Sequence, residues 1–227
     1  LEEAMKKRVP IQNQTASGKP EATNTSADDY SLYSKIRFFA GGTNKGRSIY
    51  YVDYLLPFYY SDDRTTLVFF NPKQNIQNPE SFEMNLGLGL RKAFDDDFIL
   101  GVHSFFDRKK SVNHLYHNQV GWGAEFLSQP FDFRFNYYLP LSRIQTTNDT
   151  TYELGSMHLL QINNLEEALR GFDFECGFPF FEEFIKTRLY PGGFFYQSKL
   201  AKDFNGFRFR TETNFNSWLS FDTTLNA

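Results

Sequence analysis

The sequence predicts an all-β chain, an antiparallel up-and-down transmembrane β-barrel in which eleven strands are readable. The first sign is alternation at a period of two in five stretches, clearest over Ser81–Lys92, where Phe82, Met84, Leu86, Leu88 and Leu90 share one face and Glu83, Asn85, Gly87, Gly89 and Arg91 the other. Successive side chains of a strand point to opposite faces, so this is a strand with one oily face and one charged or glycine face. The second is composition. Aromatics make up 19% of the 227 residues, yet mean hydropathy is −0.50 and no apolar run approaches the ~20 residues a membrane helix requires. A barrel reconciles the two, because only every second residue of its strands meets lipid. The third is an expected alternation of short and long connections, with tight turns at one rim and longer loops at the other.

Taken in order, Leu1–Tyr33 is polar, holds Pro10 and Pro20 among Ser, Thr, Asn and Asp, and reads as a disordered leader or linker. Residues 34–227 form the barrel domain. Its strands are expected at 34–41, 48–59, 65–72, 81–93, 98–107, 118–127, 131–140, 170–178, 185–197, 206–215 and 218–226. In the sixth, Val120, Trp122, Ala124 and Phe126 oppose Gln119, Gly121, Gly123 and Glu125. In the seventh, Phe131, Phe133, Phe135 and Tyr137 oppose Asp132, Arg134 and Asn136. Phe172, Phe174, Cys176 and Phe178 oppose Asp173, Glu175 and Gly177, and Phe207 and Phe209 oppose Arg208, Arg210 and Glu212. Pro191, Gly192 and Gly193 interrupt the strand at 185–197 and suggest a bend or bulge.

The expected short connections are Ser61–Arg64, Asp95–Asp97, Ser128–Pro130 and Asn216–Ser217; the expected long ones are Gly42–Gly46, Lys73–Glu80, Arg108–His117, Leu141–Leu169 and Ser198–Asn205. Within the longest, Met157–Arg170 reads equally as a short amphipathic helix or a strand extension. Barrels of this kind close with an even number of strands, so either a twelfth lies beyond Ala227, the favoured expectation, or one of the eleven is false.

If the alternation is read as a membrane barrel, Leu86, Leu88, Val120, Trp122, Phe133, Phe135, Phe172, Phe174, Phe207 and Phe209 face lipid. Glu83, Asn85, Arg91, Glu125, Asp132, Arg134, Asp173, Glu175, Arg208, Arg210 and Glu212 face a polar lumen, as mutually paired, water-accessible charges. Gly87, Gly89, Gly121 and Gly123 then either leave room inside for an extended segment or only relieve crowding between strands.

Other functions find little purchase. The formal net charge is −3 with a pI near 5.8, and no basic patch points to nucleic acid. Cys176 is the single cysteine, which excludes an intrachain disulfide. Gly41–Ser48 lacks the spacing of a phosphate-binding loop. His103 and Ser104 fall on opposite faces of one strand, so they make no nucleophile–base pair; His114 and His117 read as exposed loop residues rather than metal ligands. No catalytic residue, cofactor or metal is assigned. A passive porin-like or structural barrel stays open as an alternative, with an outer-membrane hydrolase the weaker one.

DYLLPFYYSDD (Asp53–Asp63), NLGLGLRKAF (Asn85–Phe94), LGVHSFFD (Leu100–Asp107), GWGAEFLS (Gly121–Ser128), GFDFECGFP (Gly171–Pro179), LYPGGFFY (Leu189–Tyr196) and NSWLSF (Asn216–Phe221) follow one another in an order that resembles the β-domain of inverse autotransporters, the intimin and invasin adhesins. The resemblance runs from about Lys35 to Ala227. It implies a twelve-stranded barrel in the bacterial outer membrane that exports and displays a C-terminal adhesin passenger by type V secretion, a virulence-associated role in cell adhesion. The partners it implies are outer-membrane lipid, the barrel-insertion machinery, the protein's own passenger and, through an upstream module, peptidoglycan.

Overall fold

The structure, a computed structural model, describes residues 34–42, 48–78, 81–94, 97–146, 159–162, 165–181, 186–216 and 219–226; the leader expected over Leu1–Tyr33 lies outside them. All regular structure is β. The strands are β1 (Lys35–Gly42), β2 (Ser48–Tyr60), β3 (Thr66–Asn78), β4 (Ser81–Phe94), β5 (Phe98–Lys110), β6 (Tyr116–Ser128), β7 (Asp132–Pro140), β8 (Gln145–Thr146), β9 (Leu159–Ile162), β10 (Leu165–Ala168), β11 (Arg170–Phe181), β12 (Lys186–Gln197), β13 (Phe204–Asn214) and β14 (Leu219–Asn226). Eleven of them close into a barrel in the order β1-β14-β13-β12-β11-β7-β6-β5-β4-β3-β2, and β8, β10 and β9 make a separate three-stranded sheet. Each of the eleven expected strands corresponds to one barrel strand.

One seam departs from the antiparallel expectation. Meandering strands alternate direction, so an odd number leaves the first and last running the same way. β1 and β14 therefore pair in parallel, from Ile36 opposite Leu219 to Gly42 opposite Leu225. Every other neighbouring pair in the barrel is antiparallel.

The connections are more even than expected. Two of the long loops are in part strand: Lys73–Gln77 continues β3 against Ser81–Asn85 of β4, and Arg108–Lys110 pairs with Tyr116–Asn118. Polar residues there hold the ladder because backbone hydrogen bonds, not side-chain polarity, define it. What remains of the second is Ser111–Leu115, closed by His114 N–H donating to the Ser111 carbonyl at 2.9 Å, with His114 in the left-handed region at φ 62°. The turn after β2 repeats it, with Arg64 at φ 57° and its N–H on the Ser61 carbonyl. Met157–Arg170, left between helix and strand, is extended where described: β9 and β10 pair with Leu165 opposite Ile162 and Ala168 opposite Leu159.

The bend or bulge expected at Pro191–Gly193 brings no shift of register, although the ladder to β11 lapses at Tyr190 and Pro191. β12 keeps an unbroken register with β13 from Lys186 opposite Asn214 to Tyr196 opposite Phe204. Gly192 instead allows close approach, since a Cβ there would stand 2.2 Å from the Phe174 carbonyl oxygen. The shifts lie at Pro57–Tyr59 against β3 and at Pro179–Phe181 against β12. Proline, with no N–H to give the ladder, is accommodated at such interruptions.

Candidate functional site

The barrel inverts the usual distribution of polarity. Among the described residues of the barrel strands, Asp53, Glu83, Asp107, Glu125, Asp132, Asp173, Glu212 and Asp222 are all buried, and Glu175 is nearly so. These are all the carboxylates those strands carry, and every one points into the barrel. Of the sequence's inward set, Asn85, Arg91 and Arg210 are also buried, while Arg134 and Arg208 are partly covered. Of the outward set, Leu86, Leu88, Trp122, Phe133, Phe135, Phe174, Phe207 and Phe209 are exposed, Phe207 to 80%. Val120 and Phe172 are half-buried; the Phe172 ring lies between those of Phe135 and Phe195, 5.8 Å from each.

Inside, the charges pair across strands that are distant in sequence. Arg210 donates to Glu175 at 2.6 Å, Glu212 at 3.0 Å and Asp222 at 3.1 Å. Arg134 reaches Glu175 at 3.1 Å and Glu212 at 3.7 Å. Both guanidinium groups lie on the ring of Tyr190, at 4.8 Å for Arg134 and 3.9 Å for Arg210. Arg91 Nε donates to Glu125 at 2.5 Å, Arg37 pairs with Asp53 at 2.7 Å, and Arg208 with Asp173 at 2.9 Å. Arg188 pairs with Asp132 at 3.1 Å and donates to the Ser128 and Gln129 carbonyls. A guanidinium offers five donors in a fixed fork, which suits it to hold several carboxylates at once. These groups were expected to be open to water. They are packed and largely covered by one another instead, and the space left between them is a cavity of about 250 Å³ lined by residues including Arg37, Lys73, His103, Asp107 and Arg208.

The interior glycines leave little of that space free. A Cβ at Gly87 would stand 2.2 Å from the Phe105 ring, one at Gly89 2.2 Å from the Phe69 ring, and one at Gly123 2.0 Å from His103 Nε2. Each faces its partner directly across the ladder. Three of these four glycines are sockets for neighbouring rings, which favours the crowding reading; of the four, Gly121, 3.5 Å from Tyr138, has room for a methyl. The sequence reading missed these inward rings, since alternation had placed aromatics outside. The signal was a glycine opposite an aromatic, and it is visible only once register is known.

At the rim where β7 ends and β11 begins, β10 joins the β5–β6 hairpin to the β12–β13 connection. Glu166 and Glu167 are neighbours on one strand and so point to opposite faces. Glu166 accepts from His117 Nε2 at 2.8 Å and Asn113 Nδ2 at 3.0 Å, on the β5–β6 hairpin. Glu167 accepts the backbone N–H groups of Lys199 at 2.9 Å and Leu200 at 3.1 Å and the Ser198 hydroxyl, all on the β12–β13 connection. Glu166, Glu167, Ala168 and Leu169 are all buried, so both faces of this short strand are covered. Leu160 and Leu169 pack on Tyr196, with Tyr138, Phe194 and Leu200 around them. Burial raises the Glu166 pKa, but the hydrogen bonds from His117, Asn113 and Ser111 outweigh it and hold the carboxyl below its usual range. His117, expected to be exposed in a loop, is fully buried on β6. His103 bonds Asn136 at 3.2 Å, whereas the Ser104 hydroxyl donates to the Gly121 carbonyl, and the two do not meet.

Comparison with known proteins places this geometry. No curated protein matches the chain. A solved chain described by the words "Unveiling the Mechanism Behind the in-meso Crystallization of Membrane Proteins" shares the fold with a TM-score of 0.56 at 18% identity, over 79% of this chain and 69% of that one. The family described as inverse autotransporter, beta-domain, matches residues 13–190. An inside-out barrel of this strand order, matched over most of its length, settles the family: the chain belongs to the inverse autotransporter β-domains.

Proposed function

We propose that this barrel is the outer-membrane translocator and anchor of an inverse autotransporter, which exports and displays a C-terminal adhesin-like passenger. The observation that carries the reading is the charge segregation: all described carboxylates of the barrel strands turn inward, while the outer wall presents Leu88, Val102, Phe106, Trp122 and Phe207 to the surroundings. A spanning barrel must satisfy every backbone polar group between its strands and meet hydrocarbon with apolar side chains. In that setting the outward set faces lipid and the inward set lines the path of the passenger. Cell adhesion and virulence belong to the passenger, peptidoglycan attachment to an upstream module, and assembly to the barrel-insertion machinery.

The narrow interior argues against free diffusion through a passive porin. The Arg134–Glu175–Arg210 group joins β7, β11 and β13 through the interior, and β10 links two connections of one rim. The test is to express the full reading frame with an epitope tag at the passenger's far end and to shave intact bacteria with protease. Loss of the tag with the barrel protected supports translocation. A barrel that reaches the outer membrane while its tag stays inside the cell refutes it.

A further inference from the structure

The outer wall carries its few charges at its two edges, and they are all cations. On β4 the outward row runs Phe82, Met84, Leu86, Leu88, Leu90 and ends at Lys92; on β5 it runs Leu100, Val102, Ser104, Phe106 and ends at Arg108 and Lys110. Lys92 stands opposite Leu100, and Arg108 opposite Met84. From the level of Lys92 to Arg108 is therefore eight residues along β5; that is ~27 Å of strand, or roughly 21 Å of height at a ~40° tilt. The cations bracket the apolar band where headgroups would lie.

The two edges are unequal. At the Lys92 edge a single ammonium rests near the Phe94 ring, at 5.4 Å. At the other, two guanidinium groups are seated on tyrosines: Arg108 over Tyr116 at 4.8 Å, and Arg170 over Tyr137 at 5.6 Å, with its Nε donating to the Tyr137 hydroxyl at 2.6 Å. Arg108 and Arg170 are exposed, and Lys110 extends the row beside Tyr116. β6 and β7 separate the two arginines, a distance of about 14 Å across the wall. No carboxylate shares this face among the described strand residues, so nothing within the wall neutralises it. Held beside a tyrosine, each guanidinium keeps outer N–H donors for an oxygen anion, and phosphate accepts such a fork in bidentate fashion.

We infer that Arg108, Lys110 and Arg170, beside Tyr116 and Tyr137, dock the phosphate groups of a membrane lipid bearing two phosphates, packed against the outer wall of β5–β7 and β11. Tyrosine at the interface supplies an apolar body and a wet tip, and the acyl chains continue down the adjoining apolar band. The inference rests on the membrane reading above. It adds that one leaflet's lipid is bound by its phosphates and not merely by its oil.

The test uses the whole chain in detergent micelles and in vesicles. Native mass spectrometry follows titration with a disaccharide lipid bearing two phosphates, the same lipid after phosphatase treatment, and inorganic phosphate. The expected result is preferential binding of the phosphorylated lipid and a loss of roughly tenfold in R108Q/R170Q, because two charge-assisted contacts go; Lys92→Gln leaves binding unchanged. Equal binding of the dephosphorylated lipid, wild-type binding by R108Q/R170Q, or inorganic phosphate competing as well as the lipid overturns the inference. Insertion of the wild type into plain phosphatidylcholine vesicles is scored separately: its failure sinks the membrane reading, whereas insertion without phosphate preference sinks only this one.

Discussion

Leu88→Arg and Asn85→Arg put the same charge on β4 three residues apart, on opposite walls. Leu88 is 58% exposed on the outer face, between Phe70 of β3 and Ser104 of β5. Counting back from Lys92 at ~3.4 Å per residue and a ~40° tilt puts it roughly 10 Å inside the edge of a ~25 Å band, near midplane. An arginine there costs about 2–4 kcal/mol, falling to ~0–1 at the interfaces. Asn85 faces inward, its amide donating to Glu83 at 2.9 Å and Asp107 at 2.5 Å. A guanidinium in its place meets two carboxylates and no lipid. Its cost is overpacking, ~1 kcal/mol after that attraction. The assay is refolding into phospholipid vesicles across a urea series, with Trp122, exposed on the outer wall, as the fluorescent reporter of insertion. Equal losses for the two variants, or a larger loss for Asn85→Arg, would show that the walls are wrongly assigned and would take the translocator reading with them.

The socket geometry predicts that Gly89→Leu, driven into the Phe69 ring, destabilises the barrel by ~1–3 kcal/mol, with partial rescue when Phe69→Ala is added, both read by thermal unfolding in detergent. Arg210→Ala leaves Glu175, Glu212 and Asp222 short of a shared partner; a loss of about 3–5 kcal/mol is expected in the same melt, and a smaller one for Arg210→Lys, and a silent Arg210→Ala would mean that the network does not brace the wall. Glu166→Ala with Glu167→Ala releases both anchors of β10, so conductance of the reconstituted barrel should rise several-fold over wild type; unchanged conductance would show that β10 does not obstruct the mouth. Because the Glu166 carboxyl is held below its ordinary value of 4.5, its contribution is complete above that value and fades as pH falls through the lower folded one. The protection factors of the β10 amides, corrected for the intrinsic pH dependence of exchange, should therefore fall in acid below about 4.5 and hold steady just above it.

All eleven barrel strands were legible because a one-residue slip would turn every charge into lipid or every ring into the lumen, so period two is strongly imposed. Strand ends were less legible: Lys73–Asn78 and Tyr116–His117 are polar on both faces, and polarity says nothing about whether a ladder continues. The facing of individual aromatics was legible only where a charge alternates with them, as at Phe133 and Arg134. Phe69, Phe105 and Tyr190 fill gaps made by glycines on neighbouring strands, and no local pattern records what lies across a ladder. Glu166 and Glu167 sit in LEEA, which reads equally well as helix or strand, and their roles depend on two loops far away in sequence.

The interior and the mouth bear on translocation in different ways. Arg210 holds three carboxylates and shares Tyr190 with Arg134, and each of these groups loses a partner if the wall separates. Such a network braces the barrel, and its matched charges leave little net field to trap a polar segment passing beside it. The cross-strand at the mouth is another matter. It pairs with β8 and β9 and is held to the barrel by its two carboxylates, Glu166 to the β5–β6 hairpin and Glu167 to the β12–β13 connection, and by a small cluster of Leu160, Leu169 and Tyr196. Beyond its own small sheet, these ties to the barrel run through side chains and are of kinds that can be exchanged for contacts with another chain. If any part of this barrel yields when a passenger passes, the balance of contacts places that movement in β10 and leaves the wall intact. Tethering β10 to the β12–β13 connection with a Glu167→Cys, Lys199→Cys disulfide should then block surface display under oxidising conditions and restore it on reduction. Display that is indifferent to the tether would mean that the passenger travels without disturbing this strand.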